Sequence, residues 1–238
     1  MLEVMEPLQD VKLSEQDICN TSATVIDGGL LIHAKFAAVK KIGTYGNFAV
    51  CMVSAENCMP GSRKRSSYSF DTYGTESLKN KEREKRGESA EDYVIDGPDQ
   101  RPTESSEKLM KNSKFKDELG KFFVKEWQEE KYTEVISGKV IVASNGGTCI
   151  EIHATAEKKI IAEEPAHLQS SHEEADTLIA FHVRQVEADV IVRASDTDIL
   201  ALLIAMIGGI TEGKVPTKYG RILMDSAAGN KRRYIDLT

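Results

Sequence analysis

The stretch from Ser171 to Leu203, SHEEADTLIAFHVRQVEADVIVRASDTDILALL, decides the fold. Ser171 stands three residues before Glu174, the spacing at which a serine and a glutamate cap a helix start reciprocally. Ala175, Leu178, Ile179, Phe181, His182 and Val186 then recur along one face, which predicts an amphipathic helix. Asp189 to Ala194, DVIVRA, is apolar on both faces except at Arg193, the pattern of a strand buried in a parallel sheet. Ser195-Asp196-Thr197-Asp198 closes that strand, and the apolar run Ile199 to Ile207 predicts a second, buried helix. Helix, strand and helix in succession point to an α/β fold built on a mostly parallel sheet.

The segments upstream repeat this alternation. Ala23 to Ile26 is a short β-type run ending at Asp27-Gly28-Gly29, and helices are predicted over Leu30–Lys41, Tyr45–Ala55 and Lys114–Lys131. Lys139–Ala143 and Thr148–His153 flank Asn145-Gly146-Gly147 as a hairpin would. Tyr219–Met224 and Tyr234–Leu237 read as two further short strands. Residues 1–22 form a polar lead-in, and 23–238 a single domain. Residues 87–107 have little apolar content and predict a flexible insertion. From Glu76 to Arg86 charges of both signs recur at helical spacing, either as a solvated helix face or as a basic ridge toward phosphate.

The 238 residues are 40% hydrophobic and 29% charged, enough apolar content for one large core. A net charge of −7 argues against a generally basic nucleic-acid coat, yet leaves room for one basic patch beside a carboxylate site. The four cysteines form no C-x-x-C pair and imply a reducing compartment. Cys149, His153, His167 and His172 are too loosely spaced to read as a zinc set. No apolar run approaches the roughly 20 residues that span a bilayer. The start, MLEVMEPLQDVKL, lacks the features of a secretion signal, so a nuclear or cytoplasmic location is expected rather than a secreted one.

In a helix-covered parallel sheet, sites form beyond the carboxyl ends of the strands. Asp27 ends the first strand, Asp71 a candidate second one (SSYSF), and Asp196 and Asp198 a later one, while Glu173, Glu174 and Asp176 stand at a helix start nearby. Such a set suits Mg²⁺ or Mn²⁺, and two ions about 4 Å apart can activate water and stabilise a leaving oxygen. Every member also has an ordinary role. Asp27 serves a turn or cap, Glu174 its capping box, Asp176 the helix dipole, and Asp198 the cap of the helix at Ile199. His33 lies on the first helix as a core or cleft-edge residue.

The motifs DGGLLIH at Asp27, FDTYGTESLKNKEREKRG at Phe70, HEEADT at His172 and SDTDIL at Ser195 resemble the PIN-like nuclease superfamily, nearest to a group associated with animal mobile elements. More distantly the pattern is similar to the flap-endonuclease and XPG branch. The resemblance implies a central, mostly parallel sheet flanked by helices on both faces. It implies a two-metal site of Asp27, Asp71, Glu174, Asp176, Asp196 and Asp198, with Mg²⁺ or Mn²⁺ as cofactor, and Lys79 and Arg86 steering phosphate. The implied partner is DNA or RNA with a free end, flap or junction, and no membrane. The family pattern continues past a region like KRRYIDL to a further acidic G-C-D motif, which implies a C-terminally truncated domain. Two other readings stay open. One is a PIN-like module that binds nucleic acid or protein without cleaving. The other is a phosphatase of the haloacid-dehalogenase kind, with Asp196 as nucleophile.

Overall fold

Residues 65–69, RSSYS, contain three serines and one aromatic, yet form a strand embedded in the middle of the sheet, with Ser66, Ser67, Tyr68 and Ser69 all buried. Strand β3 (Arg65–Ser69) pairs in parallel with β2 (Ala23–Asp27) on one side and β4 (Val140–Asn145) on the other. Two neighbours satisfy its backbone polar groups, so its side chains need only fit. Tyr68 and then Phe70 supply apolar bulk on one face, while Ser67 and Ser69 leave space for a helix on the other.

The computed structural model describes residues 10–13, 21–36, 43–54, 65–72, 91–145, 147–172, 174–211, 220–228 and 231–238. The remaining strands are β1 (Asp10–Val11), β5 (Thr148–Ala154), β6 (Ile160–Glu163), β7 (Val190–Arg193), β8 (Ile222–Ala228) and β9 (Lys231–Asp236). They form one sheet in the order β1-β9-β8-β7-β2-β3-β4-β5-β6. The inner five, β8-β7-β2-β3-β4, run parallel. Both margins are antiparallel. The expectation of a mostly parallel sheet is therefore corrected to a mixed one, in which half of the eight pairings are antiparallel. The reason is connection length. Residues 146–147, with Gly147 at φ +81°, join β4 to β5, and so short a link can only return the chain antiparallel.

Helices α1 (Gly28–Phe36), α2 (Tyr45–Ser54), α3 (Ser106–Met110), α4 (Ser113–Glu126) and α5 (Thr133–Ile136) precede β4, and α6 (Ala175–Arg184) and α7 (Thr197–Thr211) flank β7. The first group contributes to the core on one face, where Phe36, Phe48, Phe115, Phe123 and Trp127 meet Ile26, Tyr68 and Phe70. On the other face α6 and α7 bring Ile179, Val183, Ile199 and Leu203 onto Val25 and Val192. Helices on both faces of a large sheet are thus as expected. Among the described residues no helix is long and apolar enough to cross a membrane.

The helix boundaries agree closely with the periodicity at Tyr45–Ser54, whereas the helix expected over Lys114–Lys131 runs Ser113–Glu126, ending at its cap Trp127 ahead of a short 3-10 turn, Glu130–Tyr132. Residues 91–105 contain no helix or strand, yet they are tied down. The Tyr93 ring meets Phe115 edge-on at 4.8 Å, its hydroxyl lies 2.7 Å from that of Tyr45, and the Gly46 amide donates to the Pro98 carbonyl at 2.8 Å. The charged segment from Glu76 to Arg86, with Lys79 and Arg86, lies outside the described residues, as does Glu173.

Candidate metal centre

The topology changes direction between β2 and β7. After β2 the chain crosses through α1 and α2 on one face to reach β3, whereas after β7 it enters α7 on the opposite face. The two helix starts splay apart at that point and leave a crevice beyond the strand ends. An open cleft of about 590 Å³ lies there, lined by Asp27, Asp71, Glu174, Asp176 and Asp196, with His33 and Lys116 at its sides. Asp198 joins through Asp176 and Asp196, one carboxylate oxygen from each of the three lying within 4.8 Å of the others.

Each carboxylate is delivered by a recognisable backbone event. Asp27 is the last residue of β2 and accepts from the Leu30 amide at 3.0 Å, so it also closes the start of α1. The turn is tight because Gly28 sits against Phe70; a Cβ there would fall 2.3 Å from the ring. Asp71 follows β3 by two residues, held where the Phe70 amide donates to the Ser144 carbonyl at 2.9 Å. Its Oδ1 accepts from the Ala175 amide at 3.0 Å, which is the first residue of α6. The predicted Ser171–Glu174 capping box is corrected accordingly. Glu174 occupies the N-cap position with no side-chain cap bond, and the orphan amide is satisfied by Asp71, a hundred residues away in sequence. Asp196 precedes α7, with its carbonyl accepting from Leu200 at 3.4 Å and its Oδ1 from the Asp198 amide at 2.9 Å. The cap of α7 is therefore Asp196 rather than Asp198.

Capping does not exhaust these groups. A carboxylate has two oxygens, so one can cap while the other faces the cleft. Asp27 records the crowding directly. Burial, opposed by the Leu30 hydrogen bond and reinforced by the charges of Asp71 and Asp176, raises its pKa to about 6. Asp176 thus links two groups: its charge, like that of Asp71, acts on Asp27, and its carboxylate clusters with those of Asp196 and Asp198. The carboxylate oxygens of Asp176, Asp196 and Asp198 are close enough together to hold one metal ion.

The row of residues beneath α6 is polar as well. In register across β2, β3, β4 and β5 stand Asp27, Ser69, Ser144 and Cys149. His182 of α6 is buried over this row, with its Nε2 2.7 Å from the Ser144 hydroxyl. Burial, and then the positive charge of Arg65, lower its pKa to about 4, so the ring is neutral. Arg65 itself pairs with Glu151 at 2.9 Å.

Six expected carboxylates, Asp27, Asp71, Glu174, Asp176, Asp196 and Asp198, are thus brought to one edge. His33 is exposed at the cleft's rim rather than in the core. Cys149, His153, His167 and His172 do not gather into a metal-sized group among the described residues. Lys116 was not singled out by the sequence, because the phase of α4 decides which of its several lysines meets the cleft. The signal available was Gly120, one turn further on, which marks the face of α4 in closest contact. No protein-family model matches the chain, and no curated protein matches it.

Proposed function

We propose that this protein is a divalent-metal-dependent nuclease of the PIN-like kind, hydrolysing phosphodiesters of DNA or RNA in the cleft between α1, α6 and α7. The observation that carries this reading is the convergence of Asp27, Asp71, Glu174, Asp176 and Asp196 on one cleft, with Asp198 clustered beside Asp176 and Asp196. Asp176, Asp196 and Asp198 would hold one Mg²⁺ or Mn²⁺, and Asp27 and Asp71, with Asp176 between, a second. The ions would supply an activated water and charge stabilisation at the leaving oxygen. In the hydrolysis a water oxygen bonds to phosphorus, one phosphorus–oxygen ester bond breaks, and the leaving oxygen takes up a proton. Nuclear or cytoplasmic placement belongs to the same proposal.

A second reading rests on a different observation. Asp27, Asp71 and Asp196 each accept a backbone amide at a helix start, so part of the acidity serves the fold. On that reading the chain is a non-cleaving module that binds nucleic acid or protein without metal. The haloacid-dehalogenase alternative is weaker, since it gives Asp27, Asp71 and Glu174 no part in the chemistry.

Incubation of the purified protein with fluorescent single-stranded, hairpin and flap oligonucleotides and Mn²⁺ separates these readings. The nuclease is expected to cleave at least one of them, with Asp196→Ala reducing the rate at least 100-fold, a loss on the order of that seen when a charge-stabilising group is removed. Binding without turnover, equal with and without Mn²⁺, would favour the module instead.

A further inference from the structure

We propose that Lys116 holds the substrate's phosphate against the carboxylate cluster, an inference that rests on the nuclease reading of the cleft. Lys116 lines the same cleft as Asp27, Asp71, Glu174, Asp176 and Asp196, and among the described residues it is the one lysine or arginine that does so. A phosphodiester is an anion and an all-carboxylate cleft repels it. Metal ions offset part of that repulsion. A lysine lining the same cleft adds a compact positive charge that can donate to a non-bridging phosphate oxygen.

The position of Lys116 is built rather than incidental. It lies in the first turn of α4, where the Asn112 side chain accepts from the Phe115 amide at 3.2 Å and donates to the Glu91 carbonyl at 2.9 Å. One turn further on, Gly120 lets the helix approach the ends of β3 and β4. A Cβ there would stand 2.6 Å from Asn145 Nδ2 and 3.2 Å from Phe70 Cβ. That same Asn145 amide donates to the Asp71 carbonyl at 3.5 Å. Lys116 and Gly120 are four residues apart and so share a helix face. The face that docks on the turn bearing Asp71 is therefore the face that carries Lys116. The phosphate would then sit between Lys116 on α4 and the carboxylates of Asp176, in α6, and Asp196, just before α7.

The test compares wild type, Lys116→Ala, Lys116→Arg and Asp196→Asn, each with Mn²⁺ and the same fluorescent oligonucleotide, over a range of salt concentrations. Lys116→Ala is expected to lower kcat/KM by about 10- to 100-fold and to reduce the slope of log(kcat/KM) against log salt by about one, the signature of one lost phosphate contact. Lys116→Arg should recover most of the loss. Mn²⁺ binding, followed by calorimetry without nucleic acid, should be unchanged or tighter in Lys116→Ala, and the melting temperature unchanged. Wild-type cleavage that is Mn²⁺-dependent and lost in Asp196→Asn, with Lys116→Ala matching wild type in rate and salt slope, overturns the role of Lys116 alone. Absence of Mn²⁺ binding and cleavage in wild type overturns the nuclease reading and this inference with it.

Discussion

The two layers that cover the sheet are made of different material. The layer of α1, α2 and α4 is aromatic: Trp127 stacks on Phe123 at 5.5 Å, lies 4.9 Å from Tyr68, and donates its indole N–H to the Ala49 carbonyl at 3.1 Å. The layer of α6 and α7 is aliphatic toward β7 and polar toward β3 and β4, where Ser144 and His182 meet. The aromatic layer buries large rings that interlock and exclude water. The other layer supports the carboxylates, and its own contacts are smaller and partly polar. One layer stabilises the domain, while the other carries a cluster of like charges that opposes folding.

The largest expected effect tests the stronger layer. Trp127→Ala should cost about 3 to 5 kcal/mol, as large aromatic truncations in cores do, whereas Leu203→Ala in the aliphatic layer should cost about 2 to 4 kcal/mol. Urea unfolding of both variants measures this. A smaller loss for Trp127→Ala than for Leu203→Ala would break the contrast.

Next in size is the strain at the cleft. Asp27 has its folded pKa raised to about 6, so the protonated form is the one the fold prefers. Its contribution is fully present below the unfolded value near 4 and is lost as pH rises through 6. In metal-free buffer at pH 7.5, Asp27→Asn should therefore be more stable than wild type by about 1 to 3 kcal/mol. The gain should vanish when both proteins are compared near pH 4. Added Mn²⁺ should raise the melting temperature of wild type more than that of the variant.

An effect of similar size concerns the polar seam. His182 has its folded pKa lowered to about 4. Its neutral form contributes stability above the unfolded value near 6.5, which is lost as pH falls through 4. This slope is opposite in sign to that of Asp27 over nearly the same window, and Arg65 and Ser144 are the strand residues that act on the ring. His182→Gln should remove an acid-side loss of about 1 to 3 kcal/mol, so that its stability rises from pH 6.5 to 4 where that of Asp27→Asn falls. Parallel pH profiles for the two variants would show that the seam and the cleft do not titrate as described.

Much of the architecture is legible in local pattern. The alternation of helix and strand, the end of β2 at Asp27, the hairpin at Asn145–Gly147 and the carboxylates at strand ends follow from period, turn residues and residue type. Three features were legible only weakly or not at all. The strand RSSYS is barely apolar by itself, because its burial comes from two flanking strands and a covering helix. The cap of α6 comes from Asp71 rather than Ser171, because an orphan amide takes whichever acceptor the fold brings within reach. The antiparallel margins depend on how β5, β6 and β9 return beside their neighbours.

By itself, the sequence determined which residues carry charge and where each strand hands over to a helix, since both are properties of short segments. Only the tertiary structure decided that Asp27, Asp71, Asp176 and Asp196 line one cleft, and that Lys116 rather than another lysine of α4 joins them. That choice depends on how α4 seats Gly120 against Asn145 and on where the winding of the chain across the parallel strands reverses, between β2 and β7. Both are contacts between segments far apart in the chain, and no local periodicity encodes them.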